Sequence, residues 1–390
     1  MDHSEDLPAL YLEESHRLGG EGVLLEDMTA DPAMLVLARE SRSWTQADVA
    51  QAMSRLEADA RISQGYISRA EAGRLAVTGD RLLLFAAALG YAPEVLCSPA
   101  DVHGVGIGLV HHRKRASMGA TGLRRIHAIL ALTRMQIKAL THAVGLSGEH
   151  CFCHIPIDDL DTPQDAAEQL RERWSLSRGP ISNLVAVIEQ AGAMVVVRDL
   201  GTTELDAVSQ WSYGEPPLFL LNSASPPDRF RFSLAHELGH VIMHTDPGTG
   251  REQEAEADRF AAEFLMPHED ISEELKDGVD LTRLLHLKGR WGVSMAALAR
   301  RALTLSVISD WQYRNIMVEM SALGYRTAEP GAVSRETPQA LSSVVKQLQE
   351  HDGLSVAQMA QLAGLTPDEF DKIYRSASSL PESPLPSARL

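Results

Sequence analysis

The sequence predicts a multidomain, predominantly α-helical protein with a small β-sheet. Three observations support this fold class. The chain has 390 residues, which is enough for two or three domains that each bury a core. Residues 34–96 and 232–265 carry apolar side chains at helical spacing. Between these two regions, residues 216–222 (PPLFLLN) form a short apolar run of the length typical of a buried strand.

Composition narrows the class of protein. The chain is 44% apolar and 23% charged, which is typical of a globular protein, and no apolar run reaches membrane-spanning length. The N-terminal sequence MDHSEDLPAL lacks the layout of a signal peptide, and three cysteines make a poor disulfide framework. We therefore expect a cytoplasmic protein with no membrane partner. The net charge of -17 argues against non-specific coating of nucleic acid but leaves room for a local DNA-reading surface.

Charge is spread unevenly and suggests domain limits. Residues 1–31 hold nine acids and one arginine, which predicts a flexible acidic leader. Residues 102–147 contain no Asp or Glu but seven basic residues: Arg113, Lys114, Arg115, Arg124, Arg125, Arg134 and Lys138. This segment either extends a contact with DNA or an acidic partner, or docks on the acidic protein itself. The predicted organisation is a leader (1–31), a small helical domain (32–98), a basic helical linker (99–154), a metal-binding core (155–268), a C-terminal helical domain (269–375) and a Ser/Pro-rich disordered tail (376–390).

The most informative segment is FSLAHELGHVIMHTD, residues 232–246. In a helix, His236 and His240 lie about 40° apart around the axis and roughly 6 Å apart along it, so both imidazoles can bind one metal ion. Glu237 is offset by one residue and lies beside the ion, where its carboxylate can take a proton from a zinc-bound water. The alternative is an amphipathic helix that carries two histidines by chance.

A third ligand is found in the next predicted helix, REQEAEADRFAAEFL. Glu254 can complete a site of two histidines and one carboxylate, and Asp258, one turn later, can accept the second ring N–H of a ligand histidine. His244 would lie roughly 12 Å along the axis from His236, which is too far for the same ion. Glu256 points about 160° away from the direction of Glu254. Glu254 is therefore the predicted third ligand, and His244 is interpreted as a helix-end or core histidine.

Other residues around this motif leave alternatives open. The predicted cofactor is Zn²⁺, with Mn²⁺ as a substitute, and Glu237 is the predicted catalytic base. Tyr213, His150 and His154 are candidates for a second oxyanion donor by residue type alone. The LFLL strand either offers an edge for an extended substrate or is a plain core strand. The HCFCH sequence at 150–154 is interpreted as a structural turn rather than a metal site.

The segments PDRFRFSLAHELGHVIMH and EAEADRFAAEFLMP resemble the ImmA/IrrE family of bacterial and phage metallo-endopeptidases. The family pattern of HExxH followed by E-x-x-A-[D/N]-x-F-A falls here on Glu254, Ala257, Asp258, Phe260 and Ala261. The resemblance covers roughly residues 165–303. It implies an α+β zincin-like metallopeptidase domain that holds zinc and cleaves a protein substrate.

The N-terminal module resembles the XRE-type helix-turn-helix of phage repressors. The matching positions are Arg39, Thr45, Gln46, Val49, Ala50, Ser63, Gln64, Ile67, Ser68, Glu71 and Gly73. The resemblance implies that Gln64, Tyr66 and Arg69 face DNA and that Gln46 contacts phosphate. The link SRLEADARI is longer than the usual tight turn, and residues 31–94 carry seven arginines against eight acids. DNA affinity should therefore be weak without a homodimer or help from the basic segment, and the alternative is a module kept for protein contact.

Together these features predict a zinc-dependent endopeptidase with a DNA-binding head. The resemblance implies cleavage of a helix-turn-helix transcriptional repressor to control stress, phage or mobile-element genes. One alternative is a transcription regulator whose metallo-domain senses a signal or a metal, and another is an antitoxin-like partner protein. The intact set of His236, Glu237, His240 and Glu254 favours the protease, since a sensor has no need of Glu237.

Overall fold

The computed structural model describes residues 28–57, 61–99, 110–112, 119–144, 152–157, 162–212, 215–244 and 250–375. The chain divides into two compact units, Met1–Ala100 and Asp101–Leu390. Helices make up most of the described residues of both units, and the sheet belongs to the second, which confirms the predicted fold class. Most of the acidic leader, the C-terminal tail and the basic positions 113–115 lie outside the described residues. The predicted domain limits stay predictions.

The described part of the first unit is a bundle of five helices. These are α1 (Pro32–Ser41), α2 (Gln46–Leu56), α3 (Gln64–Glu71), α4 (Gly79–Leu89) and α5 (Pro93–Leu96). Local capping fixes where two of them begin: Thr45 and Asp48 form a capping box at α2, and the Ser63 side chain caps α3. Fully buried Val49 and Ile67 contribute to the core of the bundle.

The sheet of the second unit contains four strands. They are β1 (Val110–His112), β2 (Met194–Arg198), β3 (Ala207–Gln210) and β4 (Leu218–Asn222), in the order β1-β3-β4-β2. β2 runs parallel to β4, whereas β3 is antiparallel to both β4 and β1. β4 contains the LFLL run, pairs on both sides and is buried at every position. The idea that LFLL offers a free edge is therefore wrong: it is a core strand, because β2 and β3 satisfy its backbone on both sides.

The described helices of the second unit are α6 (Ala120–Ala143), α7 (Pro163–Arg173), α8 (Leu184–Gln190), α9 (Pro227–Met243), α10 (Arg251–Leu265), α11 (His268–Leu275), α12 (Leu281–Trp291), α13 (Met295–Thr304), α14 (Asp310–Ala322), α15 (Ala340–Glu350), α16 (Val356–Leu362) and α17 (Pro367–Phe370), followed by a π-helical turn at Asp371–Arg375. Of these, α8, α9 and α15 pack on the sheet. One hydrophobic cluster extends from Phe152 to Met320. The helices α11 to α14 thus share a core with α9 and α10. None of the described helices has the length and apolarity needed to cross a membrane.

The basic segment contributes α6, which packs into the second unit. Arg134 is buried and donates hydrogen bonds to the backbone carbonyls of Gln210 (2.6 Å) and Pro216 (2.7 Å). Lys138 forms an ion pair with Glu215 at 2.9 Å. Burial lowers the pKa of Arg134 to about 10, and the charge of Glu215 opposes this effect. For Arg134 and Lys138, docking on the protein itself is therefore the correct interpretation.

Buried ion pairs fix the two helices of the HExxH region to their neighbours. Near the start of α9, Asp228 pairs with Lys288 of α12 at 2.6 Å, and Lys288 also pairs with Glu329 at 2.9 Å. On α10, Glu263 pairs with Arg301 of α13, and both side chains are almost fully buried. Loss of one partner would leave a buried, uncompensated charge, so these pairs hold α9 and α10 in one arrangement.

Close packing of α9 on α10 depends on a glycine. A Cβ atom added at Gly239 would lie 2.9 Å from Cδ1 and 3.2 Å from Cβ of Phe260, which is fully buried and stacks on Phe264. Because the Cβ of Phe260 is tied to its backbone, the ring cannot move aside without shifting α10. Gly239 therefore sets the distance between the two helices.

We expect Gly239→Ala to destabilise the protein by about 1–3 kcal/mol, the usual cost of overpacking a core, despite the better helix propensity of alanine. Urea denaturation would measure the free energy of unfolding. The matched control is Gly289→Ala in α12, where an added Cβ meets no atom within 4 Å and should be neutral or stabilising. Equal stabilities of the two variants would contradict the close contact.

Candidate metal centre

Three side chains converge between α9 and α10. His236 Nε2 lies 3.1 Å from His240 Nε2, and the carboxylate of Glu254 lies 3.5 Å from the first nitrogen and 3.4 Å from the second. Among the described residues, these three form the one group of His, Cys or acidic side chains that could hold a metal ion. Two nitrogens of one tetrahedral zinc site lie roughly 3.3 Å apart, given Zn–N bonds of about 2.0–2.1 Å. The arrangement fits a zinc ion.

The Nδ1 atom of each of the two imidazoles also contacts a neighbouring side chain. His236 Nδ1 lies 2.9 Å from Asp258 Oδ1. His240 Nδ1 lies 2.9 Å from His244 Nδ1, and the other ring nitrogen of His244 lies 3.0 Å from Glu256 Oε2. These contacts turn both Nε2 atoms towards Glu254, because the outer nitrogen of each ring is occupied.

The contact of His244 with His240 was missed by the sequence analysis. His244 ends α9 as its C-cap, as expected for a helix-end histidine, and it is not in the ligand group. Its i+4 spacing from His240 was the available signal for a contact along the helix. The position of Glu256 opposite His244 depends on how α10 packs, and no spacing in the sequence reveals that.

Glu237 has one occupied and one open carboxylate oxygen. Its side chain is 1% exposed, and Oε2 accepts a hydrogen bond from Ser209 Oγ at 2.6 Å. Oε1 is buried and has no hydrogen-bond partner among the described residues. A buried carboxylate oxygen without a donor is costly, so this atom suits a proton-donating ligand such as water. Ser209 lies on β3, 28 positions before Glu237 in the chain, and was also missed by the sequence analysis.

The site combines buried imidazoles with carboxylates. Burial raises the pKa of Glu237 to about 7, and the charge of His236 opposes this rise. Burial lowers the pKa of His236, but hydrogen bonds to Asp258 and Glu254 outweigh it and raise the pKa to about 9. Burial lowers the pKa of His240 to about 4. Burial tends to raise the pKa of Glu254, yet hydrogen bonds with both histidines hold it well below its usual range. The ionised Glu254 provides negative charge for a cation.

Family models match both units. Residues 188–303 match the model described as an IrrE N-terminal-like domain (Peptidase_M78), and residues 35–96 match a helix-turn-helix model (HTH_3). The chain carries a helix-turn-helix domain followed by an IrrE N-terminal-like domain. This order confirms the resemblance seen in the sequence, and the second match contains His236, Glu237, His240 and Glu254. A comparison with curated proteins finds no match.

Of the three candidates for a second oxyanion donor, the structure of the IrrE-type domain describes His154 alone. Tyr213 and His150 lie outside the described residues. The ring of His154 packs on Trp211 with centroids 4.4 Å apart, and burial lowers its pKa. Its neighbour Cys153 accepts a hydrogen bond from Arg173 at 2.6 Å. Neither Cys153 nor His154 belongs to a metal group within the described part of the chain.

A cavity of about 810 Å³ borders Asp258, the residue that contacts His236. Its lining includes Phe232 of α9, Asp258 and Arg259 of α10, and Arg300 of α13. The lining does not include the three grouped side chains His236, His240 and Glu254. The cavity therefore borders the partner of His236 and not the ligand group itself.

In the helix-turn-helix domain, Gln64 and Arg69 are exposed on α3. The side-chain amide of Gln64 donates to Gln46 Oε1 at 2.6 Å, and that of Gln46 donates to Glu71 at 2.8 Å. The ring of Tyr66 is partly buried against Phe85, with centroids 6.2 Å apart. The structure thus places Gln64 and Arg69 at the surface, Gln46 in a polar network, and Tyr66 partly in the core. Their contacts with DNA stay predictions.

We expect Asp258→Ala to weaken zinc affinity by about 10–100-fold without abolishing it, the usual effect of removing the partner that orients a ligand histidine. Competition with a chromogenic chelator would measure the affinity. Asp277→Ala is the control, because Asp277 is 83% exposed and lies outside the ligand group. Unchanged affinity in Asp258→Ala would show that the contact at 2.9 Å does not orient the ring.

Proposed function

We propose that the protein is a zinc-dependent endopeptidase with a DNA-binding head. The observation that carries this proposal is the convergence of His236, His240 and Glu254 beside the open Oε1 atom of Glu237. Three protein ligands leave a fourth position open, which is typical of catalytic rather than structural zinc sites. A structural site or a metal sensor would not need a buried carboxylate with an unoccupied oxygen at this position.

Each residue of the site has a separate role in the proposed peptide hydrolysis. A bound Zn²⁺, or Mn²⁺ as a substitute, supplies positive charge that lowers the pKa of water towards about 7 and stabilises developing negative charge. Glu237 accepts the proton of the attacking water at Oε1 and passes it to the leaving amine. Ser209 holds the other oxygen and thus fixes the direction of the carboxylate. Asp258 and His244 keep the two ligand rings aligned.

The proposed substrate is a helix-turn-helix transcriptional repressor, located in the cytoplasm, whose cleavage releases stress, phage or mobile-element genes. The helix-turn-helix match at residues 35–96 supports this choice in two ways. Such a head can bring the protease to DNA near the repressor, and it can also contact the repressor through a similar fold. A homodimer would place two such heads on paired half-sites.

Cleavage of a purified repressor tests this function. The zinc-loaded chain is incubated with the helix-turn-helix repressor encoded nearest to its own gene, and intact-mass spectrometry follows the products. We expect one or two defined fragments, none after treatment with a chelator, and none with Glu237→Gln. If the zinc-loaded chain binds the repressor yet leaves it whole, the metallo-domain acts as a sensor and not as a protease.

The DNA-binding head carries its own prediction. We expect Gln64→Ala combined with Arg69→Ala to reduce sequence-specific binding, because two side chains in the first and last turns of α3 would no longer reach base edges. Loss of contacts worth roughly 1–3 kcal/mol each corresponds to a reduction in affinity of about 5- to 150-fold per contact. Electrophoretic mobility shift with DNA selected from a random pool would measure it. The control is Arg55→Ala, an exposed arginine on α2. If selection of DNA from the random pool returns no sequence motif, the domain is a protein-contact module and not a sequence-specific DNA-binding domain.

A further inference from the structure

The sheet edge nearest to Glu237 is the outer edge of β3. The matched IrrE-type region, 188–303, contains β2, β3 and β4. In these three strands β4 is central, so β3 has one side without a partner from the matched region. Ser209 of β3 donates to Glu237, which brings this edge next to the proposed base. An extended peptide that paired with β3 there would pass alongside Glu237.

In this chain that edge is covered. β1 comes from residues 110–112, far upstream of the matched region, and pairs antiparallel with β3. The register sets His111 opposite Ser209, with Val110 opposite Gln210 and His112 opposite Val208. α9 contacts β1 as well as β3. The backbone of residue 111 therefore lies across from the residue that holds Glu237.

We propose that β1 is an autoinhibitory strand: the segment around residues 110–112 occupies the edge of β3 on which a substrate pairs, and cleavage requires its release. This inference rests on the proposed peptidase function. Strand addition uses backbone hydrogen bonds, so the chain's own segment and an extended substrate compete for the same groups of β3.

The sequence around β1 also specifies the class of substrate. Residues 110–115 read VHHRKR, within a stretch free of acids, whereas α10 brings Glu254, Glu256 and Asp258 to the metal centre. Opposite charges favour a basic substrate over an acidic one at such a centre. The substrate segment that replaces β1 is therefore an extended, basic polypeptide segment with few acidic residues.

The tethered strand has an advantage that a substrate must overcome. A segment of the same chain competes at an effective concentration on the order of millimolar. However, β1 has only three residues, so it contributes few backbone hydrogen bonds. A longer substrate strand, or a contact that draws the upstream segment away, is enough to free the edge.

A peptide-binding experiment tests the competition without relying on cleavage. The probe is a fluorescein-labelled synthetic peptide of residues 106–116 (GIGLVHHRKRA), and all proteins carry Glu237→Gln so that it stays intact. In one form His111→Pro and His112→Pro unpair β1, because adjacent strand N–H groups point to opposite sides and one of the two must face β3. The matched control carries His111→Ala and His112→Ala, which keep both N–H groups.

We expect the proline form to bind the peptide at least 10-fold more tightly than the alanine form in fluorescence anisotropy, with equal zinc content in both. Equal affinities, or no binding to either form, would overturn the inference. If the proline form lost its zinc, the alanine form would still test the competition. Peptide at millimolar concentration should displace β1 and so raise the rate of amide hydrogen exchange at residues 110–112. An unchanged exchange rate would overturn the inference.

The same substitutions with Glu237 intact separate this inference from the proposed function. Fluorescein-labelled casein serves as the unfolded substrate. We expect the proline form to cleave casein faster than the alanine form. If the proline form binds the peptide tightly but no zinc-loaded form cleaves casein or the repressor, the peptidase function fails and the occupied edge stands. If both forms bind the peptide equally and cleave at equal rates, autoinhibition fails and the peptidase function stands.

Discussion

Glu237→Gln is expected to remove cleavage while leaving zinc bound. The substitution preserves the shape of the side chain and keeps an acceptor for Ser209, which now donates at 2.6 Å, but a neutral amide cannot accept the proton of the attacking water. A positioned general base contributes about 10²–10⁴-fold to the rate, and we expect a loss of that size in kcat. Initial rates of repressor or casein cleavage would measure it, together with zinc content.

The control for this prediction is Glu252→Gln. Glu252 is an exposed carboxylate in the first turn of α10, so its substitution makes the same change of charge and volume away from the ligand group. Rates should match those of the unmodified chain. A full cleavage rate in Glu237→Gln would show that another group accepts the proton, and loss of zinc in that variant would place Glu237 among the ligands.

Glu254→Ala is expected to abolish stable zinc binding. The carboxylate is the only negatively charged member of the ligand group, and without it two imidazoles would have to hold the ion alone. Loss of a partner that orients a ligand lowers metal affinity by about 10–100-fold. Loss of a ligand itself should therefore lower metal affinity by more than about 100-fold. Chelator competition and inductively coupled plasma mass spectrometry would measure affinity and content. Cleavage should disappear in parallel.

The control for Glu254→Ala is Glu252→Ala, two positions earlier on the same helix. Glu252 is exposed, and it belongs to no metal group among the described residues, so zinc content should stay at one ion per chain. Retention of zinc by Glu254→Ala, with Glu256 or His244 as the replacement ligand in a metal-bound structure, would overturn the ligand assignment. The present contact of Glu256 with His244 makes that rearrangement a specific alternative to examine.

Local patterns in the sequence were sufficient for much of the architecture. Capping boxes and N-cap serines require only residues three positions apart, so the beginnings of α2 and α3 follow from Thr45 and Ser63. The spacing of His236 and His240 fixes their common face in any helix. The mostly helical fold with a small sheet, and the order of the two domains, could likewise be predicted from periodicity and motif resemblance.

Interpretations that depended on strand partners or packed surfaces could not be decided in this way. The LFLL run looks the same in the sequence whether it forms an edge strand or a central strand. Its place in the sheet depends on β3 pairing on one side and β2 on the other, and its own residues do not reveal this. The basic helix α6 offered two interpretations, and the burial of Arg134 against carbonyls more than 70 positions away decided between them for that side chain.

The sequence by itself determined the chemical groups of the candidate site, since helical geometry converts the spacing of His236, Glu237 and His240 directly into a shared face. Only the tertiary structure brought Ser209 to Glu237, Glu256 to His244 and β1 to the edge of β3. The physical reason is the distance along the chain over which each kind of interaction acts. Backbone hydrogen bonding within a helix acts over four residues and can be deduced from spacing. Contacts between separate elements depend on how their apolar faces pack, and that packing is set by the whole core at once.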